Sequence, residues 1–167
     1  FLKIDKKCRT LHEHNEETVS HDIIELLNKQ NEIVLVSDAG TPSVSDPGYY
    51  LIQQCIKEDI IFSLVPGPSS VISALVMSGL STSSFSFLGF VPRKKSQKKE
   101  FISFLRHEKN TIILFESAKR IEDTLNVLRE EYSLTKKIAL CREMTKIHET
   151  IERGTIEEVS LRVKNGL

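Results

Sequence analysis

The chain has no tryptophan, two methionines and three cysteines among its 167 residues. The thiols, Cys8, Cys55 and Cys141, are far apart and odd in number. They fit reduced, mostly buried thiols in a cytosolic protein better than a disulfide framework or a zinc site. An excess of one charge is also missing, because 23 basic residues balance 23 acidic ones. No whole-molecule field draws such a chain onto nucleic acid, and only a local basic patch remains open to that role. Long apolar runs are lacking too. The longest is about five residues, against the ~20 needed to span a bilayer. The opening FLKIDKK has no apolar core of the kind a signal peptide carries. The chain starts at Phe1 rather than Met and stops at Asn165-Gly166-Leu167, just after a helical pattern, and is read as a piece of a longer protein.

What is present is a composition 40% hydrophobic and 28% charged, with apolar residues recurring throughout, which excludes disorder for most of the chain. The length suits one domain or two small ones. The first half alternates helices and strands. Residues 18–30 place Val19, Ile23, Leu26 and Leu27 on one helical face. The β-branched run 33–37 (IVLVS) reads as a strand buried on both faces. Asp46 and Pro47 read as N-cap and first residue of a helix reaching about Glu58. A second strand is expected over 60–65 (IIFSLV), then a helix that stops at Gly79. Repeated strand–loop–helix units predict a parallel α/β sheet. The small polar stretch 78–84 is the best candidate linker. Beyond it, strands are expected at 85–90, 111–115, 137–141 and about 149–153, with helices between. Thr155 and Glu158 form the signature of a capping box opening a last helix.

Two loops of the first half follow expected strand ends, the edge at which open α/β sheets bind ligands. In SDAGTPSVSDPG (37–48), Gly40 permits close backbone approach, Thr41 offers a hydroxyl, and Asp38 and Asp46 offer carboxylates. In PGPSS (66–70), Ser69 and Ser70 stand at a helix N-terminus. Well-made turns account for the same residues, but two such loops in consecutive units favour a small-molecule site. Neither matches a phosphate-cradling glycine pattern. Arg93, Lys94, Lys95, Lys98 and Lys99 crowd into one short basic stretch. A solvated helix start explains a charge run, yet cations there oppose the helix dipole, which leaves phosphate-backbone binding as the competing account. His12-Glu13-His14 has no third metal ligand nearby and reads as a polar strand end or substrate contact. Glu116 to Arg120 follow an expected strand directly. Arg142, Glu143, Lys146, His148 and Glu149 form a dense polar segment, either salt-bridged edge or functional loop.

Five segments in this order, SDAGTPSVSDPG, VPGPSS, FLGFVPRK, LFESAKR and CREMTKIHE, closely resemble the tetrapyrrole (corrin/porphyrin) methylase superfamily. Within it they resemble the bacterial branch that methylates the ribose 2′-oxygen of a cytidine in 16S rRNA. HEHNE (12–16) fits the same branch, and the likeness runs from about residue 12 to 160. The resemblance implies a class III methyltransferase of two α/β domains, here 1–80 and 81–167, with S-adenosylmethionine in the cleft between them. It implies cofactor contacts from Ala39, Gly40 and Thr41, where Thr41 replaces an Asp of the relatives. Further contacts are implied from Pro66, Gly67, Ser69 and Ser70, and from Phe115 and Glu116. The initial strand and glycine loop of the family, and the last strand or two of its second domain, are not in this sequence, so part of the pocket is expected here.

For the implied reaction, a ribose hydroxyl needs a proton acceptor or a strengthening hydrogen bond. Asp38 and Glu143 are the residues assigned to it, with Glu116, Lys146 and His148 as further candidates. Substrate RNA is expected on His14, Arg93, Lys94, Lys95, Arg120, Arg142, Lys146 and His148, and no metal is expected. The small ribosomal subunit is the expected partner, with no membrane, in a cytoplasmic homodimer. A tetrapyrrole C-methyltransferase and a non-catalytic RNA-binding module of the same fold are the alternatives.

Overall fold

The computed structural model describes Lys6 and residues 8–166; the rest of the FLKIDKK start, and Leu167, lie outside the described residues. The chain divides into two compact units, Phe1–Pro68 and Ser69–Leu167. The division falls before the helix that precedes the expected 80/81 boundary. That helix packs Val71 and Leu75 on Ile113, which ties it to the later part of the chain.

The first unit is built on α1 (Glu16–Asn28) and α2 (Tyr49–Lys57). Ile23 and Ile24 of α1 meet Leu51 and Cys55 of α2, with Val19, Leu27 and Ile60 packed around them. The expected Asp46–Pro47 cap does not form. Helix α2 starts at Tyr49, and the Glu16 carboxylate accepts from the backbone N–H groups of Gly48 and Tyr50, both at 2.8 Å. A carboxylate from α1 thus satisfies donors that a helix start leaves orphaned, and favours the positive end of the dipole. Gly48 has φ +133°, and a Cβ there would stand 2.5 Å from Ser43 Oγ and 2.8 Å from Leu35 Cδ2, so any other residue would be strained here and would have to displace those side-chain ends.

The two expected strands of this unit are not laddered. Residues 33–37 and 60–65 pair with no strand among the described residues. Val34 is 82% exposed and Ile61 97%, the opposite of strands buried on both faces. β-Branched composition favours an extended chain, but a strand exists only through a hydrogen-bonded neighbour. HEHNE is also not a strand end: it is a turn, closed by the His12 N–H donating to Asn15 Oδ1 at 2.8 Å.

The second unit holds α3 (Ser70–Ser78), β1 (Phe85–Phe90), α4 (Lys95–Phe104) with a 3₁₀ turn at Leu105–His107, and β2 (Thr111–Phe115). It continues with α5 (Ile121–Glu131), β3 (Lys137–Arg142), β4 (Thr150–Thr155) and α6 (Ile156–Lys164). Strands β1 and β2 are parallel, with Phe85 opposite Thr111 and Phe87 opposite Ile113. Strands β3 and β4 are antiparallel, with Ala139 opposite Arg153. The parallel sheet expected of the first half does not form there, its two extended segments being unladdered among the described residues; the parallel pair β1–β2 lies in the second unit instead. A helical crossover joins β1 to β2, whereas the short 143–149 loop lets β4 fold straight back on β3. The two pairs share no ladder. An apolar cavity of about 850 Å³ is lined from both, by Ile112 and Leu114 on one side and Ile138 and Leu140 on the other.

The capping box at α6 forms as read from sequence: Thr155 Oγ1 accepts from Glu158 N–H at 3.2 Å, and the Glu158 carboxylate accepts from Thr155 N–H at 2.8 Å. Those hydrogen bonds from Thr155, with help from Arg162, hold the Glu158 carboxyl below its ordinary value. A depressed carboxyl stabilises the fold above its unfolded-state value, and that contribution is lost as pH falls through the folded one. Protection of the first-turn amides of α6, taken relative to unfolded-chain exchange at the same pH, should therefore fall on acidification in the wild type. In Glu158→Ala, which leaves the Thr155 N–H without its acceptor, that protection should be low already at neutral pH and lack the acid-dependent step.

Candidate functional site

In the first unit, the loop after residues 33–37 is tied on itself. Ser37 Oγ donates to the carbonyls of Gly40 (3.1 Å) and Ala39 (3.4 Å), leaving the main chain of Asp38, Ala39 and Gly40 exposed. Gly40 has φ +84°, and the Pro68 carbonyl lies 3.8 Å from where its Cβ would be. The two loops singled out from sequence therefore lie side by side, with exposed Pro66 and Gly67 next to Gly40 and half-buried Thr41 following it. Ser43 and Ser45 both hold left-handed backbone, at φ +70° and +61°. Such conformations in non-glycine residues cluster at binding loops. Asp38 is exposed and has no hydrogen bond from the protein among the described residues.

The second unit begins with Ser69 as N-cap of α3, its Oγ accepting from Ile72 N–H at 3.4 Å, and with Ser70 exposed as the first helical residue. Ser69 thus has a structural role that its position in the motif does not reveal. Phe115 closes β2 with edge-to-face contacts to Phe87 and Phe90, at 4.8 and 5.3 Å between ring centres.

Glu116 does not face solvent. Its side chain is 6% exposed, and it accepts from Ser117 N–H (2.7 Å) and Thr124 Oγ1 (2.6 Å) while pairing with Arg120. Arg120 in turn donates to the Val91 carbonyl at 3.1 Å and to Ser117 Oγ at 3.3 Å. One brace thus joins the corner after β2 to the exit of β1. Arg120, expected on RNA, is instead held inside this corner, with Nη1 buried and unpartnered. The carboxylate of Glu116 is occupied as well, so only its main chain is open to a ligand.

The polar segment 142–149 is the tip of the β3–β4 hairpin. Glu143 and Thr145 hold left-handed backbone at φ +50° and +65°. The Lys146 ammonium pairs with Glu143 at 3.2 Å, and Thr145 N–H donates to Glu149 at 2.7 Å. Arg142 and His148 are exposed on the same hairpin end. Sequence reading places these residues in a loop but not in a hairpin. The cations Arg93, Lys94 and Lys95 are all exposed at the start of α4, whose first turn contains no acid and whose N-cap position, Lys94, has no side-chain cap. His14 is exposed in its turn in the first unit.

All three cysteines are free, and burial pushes the thiols of Cys55 and Cys141 up; Cys8 is exposed and Cys141 half-buried, so the burial expected of the thiols is complete only at Cys55. Among the described residues no three His, Cys, Asp or Glu side chains gather as a metal cluster, and no helix is long and apolar enough to cross a membrane.

In the first unit, exposed main chain at the left-handed Gly40 thus lies beside the 66–68 loop, and the second unit supplies the strands of an α/β fold. The family model for tetrapyrrole (corrin/porphyrin) methylases matches residues 2–160, and the chain belongs to that family. It is similar to proteins named ribosomal RNA small subunit methyltransferase I. That of Hydrogenobaculum sp. is 46% identical over 158 residues, covering 93% of this chain and 67% of the relative. That of Halalkalibacterium halodurans is 42% identical over 155 residues, covering 93% and 53%. That of Thermotoga maritima is 37% identical over 156 residues, covering 93% and 69%. The chain spans about half the length of several curated relatives it matches. Among solved structures, the methyltransferase CobJ superposes with a TM-score of 0.66 at 16% identity, over 89% of this chain and 66% of that one, which shows a shared fold.

The Glu116 brace makes a stability prediction. Glu116→Gln leaves the Arg120 guanidinium without its charge partner and sets an amide donor against other donors. It should destabilise the second unit by about 2–4 kcal/mol in urea denaturation. In a cycle with Arg120→Met the two losses should fall well short of adding.

Proposed function

We propose that this chain is part of an S-adenosylmethionine-dependent methyltransferase that modifies the ribose 2′-oxygen of a cytidine in 16S rRNA of the small ribosomal subunit. The observation that carries the proposal is the likeness, at 37–46% identity over nine-tenths of this chain, to proteins named ribosomal RNA small subunit methyltransferase I. The likeness to CobJ, at 16% identity, bears on fold and not on acceptor.

The loop residues suit the cofactor. The Ser37 bonds to the carbonyls of Ala39 and Gly40 fix the turn, leaving the backbone N–H groups there in place for a ligand, and glycine suits the left-handed φ at position 40 beside the 66–68 loop. Thr41 adds a hydroxyl, and Pro66 and Gly67 add exposed backbone. When bound, S-adenosylmethionine supplies an electrophilic methyl group on a positively charged sulfonium. The protein's part is to hold the acceptor oxygen in line at roughly 3 Å and to take up its proton. Asp38 suits the second task, since it shares the Gly40 loop and its carboxylate is unengaged. Glu143, paired with Lys146, is the other acceptor we assign.

RNA phosphates would be held by Arg93, Lys94 and Lys95, with Arg142, Lys146, His148 and His14 as further contacts. The cations sit at the α4 N-terminus despite the dipole that disfavours them there, which a polyanionic ligand offsets. A cytoplasmic homodimer belongs to the same reading, and the exposed Phe85, Leu88 and Phe90 of β1 offer it apolar surface.

The direct test is to incubate the complete protein with methyl-labelled cofactor and small ribosomal subunits and to map the label. Label on one cytidine ribose is expected, and label on a base, on protein or nowhere contradicts the proposal. Two variants separate its halves. Gly40→Val, strained at φ +84° and bulkier beside the 66–68 loop, should weaken cofactor binding at least tenfold in a calorimetric titration. Lys94→Glu with Lys95→Glu should leave that titration unchanged, yet weaken RNA binding and flatten its salt dependence.

A further inference from the structure

We propose that a cavity between α4 and α5, bordered by Arg93 and Lys95 of the basic run, seats a phosphodiester group of the RNA backbone, with Lys98 and Arg129, not assigned above, as its main ligands; this rests on the rRNA reading. The cavity measures about 620 Å³ and is lined by Arg93, Lys95, Lys98, Asp123, Asn126 and Arg129. Two lysines and two arginines thus converge on one hollow rather than spreading over a surface.

Lys98 is the telling residue. It is 4% exposed, yet its ammonium makes no hydrogen bond or ion pair among the described residues. Its stem is buried, and its ammonium, the end left in touch with the hollow, has no carboxylate of the protein paired with it, so an anion seated there would meet an unshared charge. Its neighbour Lys99 shows the contrast, lying 3.5 Å from Glu130 and 3.6 Å from Glu131, with Arg106 sharing Glu131 at 3.9 Å. The acids near α4 are thereby drawn to the Lys99 side. Glu130 also borders the hollow but is held by Lys99. Asp123 is the remaining carboxylate there, and it sits in the first turn of α5, where the helix dipole favours it. Arg129, Arg93, Lys95 and Lys98 form no ion pair among the described residues, and the Asn126 amide adds a neutral donor.

The chemistry fits phosphate. Arginine forks match its oxygens, lysines add point charge, and the uncapped start of α4 contributes unpaired backbone donors to the same end. The hollow is also continuous with the exposed run Arg93–Lys95, as a polymer carrying regularly spaced charges requires.

The test uses the full protein and 16S rRNA, with binding measured across a salt series. Lys98→Met keeps the buried stem and removes the charge, so its thermal midpoint should stay near that of the wild type. The slope of log affinity against log salt should fall by about 1, and by about 2 in Lys98→Met with Arg129→Gln. Lys57→Met, on α2 of the first unit, is the control and should leave the slope unchanged. If the wild type binds RNA and both cavity variants keep its slope, the cavity assignment is overturned while the rRNA reading stands. If the wild type shows no salt-dependent binding to 16S rRNA, the rRNA reading fails and takes this inference with it.

Discussion

The second unit depends on one buried carboxylate. Glu116 sits at the end of β2, where taking its charge out of water is tolerable only if every oxygen finds a donor. Ser117, Thr124 and Arg120 meet that demand from one corner, and Arg120 carries the connection onward to the Val91 carbonyl. Because β1 and β2 run parallel, their C-terminal ends emerge on one edge. The brace therefore links the two loops that leave that edge: the β2–α5 corner and the start of the basic run.

The first unit follows a different constraint. Glu16 holds the start of α2 from α1, and Gly48 allows the chain to turn tightly enough to reach it. The segments on either side of this pair, 33–37 and 60–65, remain extended and largely exposed. They deliver the Gly40 loop and the Pro66–Pro68 loop next to one another without a ladder between them. Exposed backbone in both loops is what supports the proposed cofactor contacts there.

Much of this was legible in the residues. Helix α3 stops at Gly79 as its pattern requires, strands β1 to β3 fall on their apolar runs, and Thr155 and Glu158 form the box their spacing announces. These features are local, set by residues within one turn or one strand. What was not legible is non-local. Asp46 and Pro47 look like a helix start, but the carboxylate that does the capping comes from Glu16, far back in the chain. IVLVS and IIFSLV have strand composition, yet pairing depends on a neighbour that composition cannot specify. Glu116 and Arg120 look like ligand-facing loop residues, and only the fold shows that they face each other. Lys98 reads as one more cation in a solvated run, and its burial follows from how α4 meets α5.

The claim that Glu116 holds the two strand exits as one unit has a direct measurement in native-state amide exchange at Ser117 and Val91, whose N–H groups donate to Glu116 and to the Phe115 carbonyl at 3.0 Å. The account predicts that both amides are protected and open together, with one shared opening free energy across a denaturant series. Ser117 exchanging at unfolded-chain rates while Val91 stays protected would contradict it.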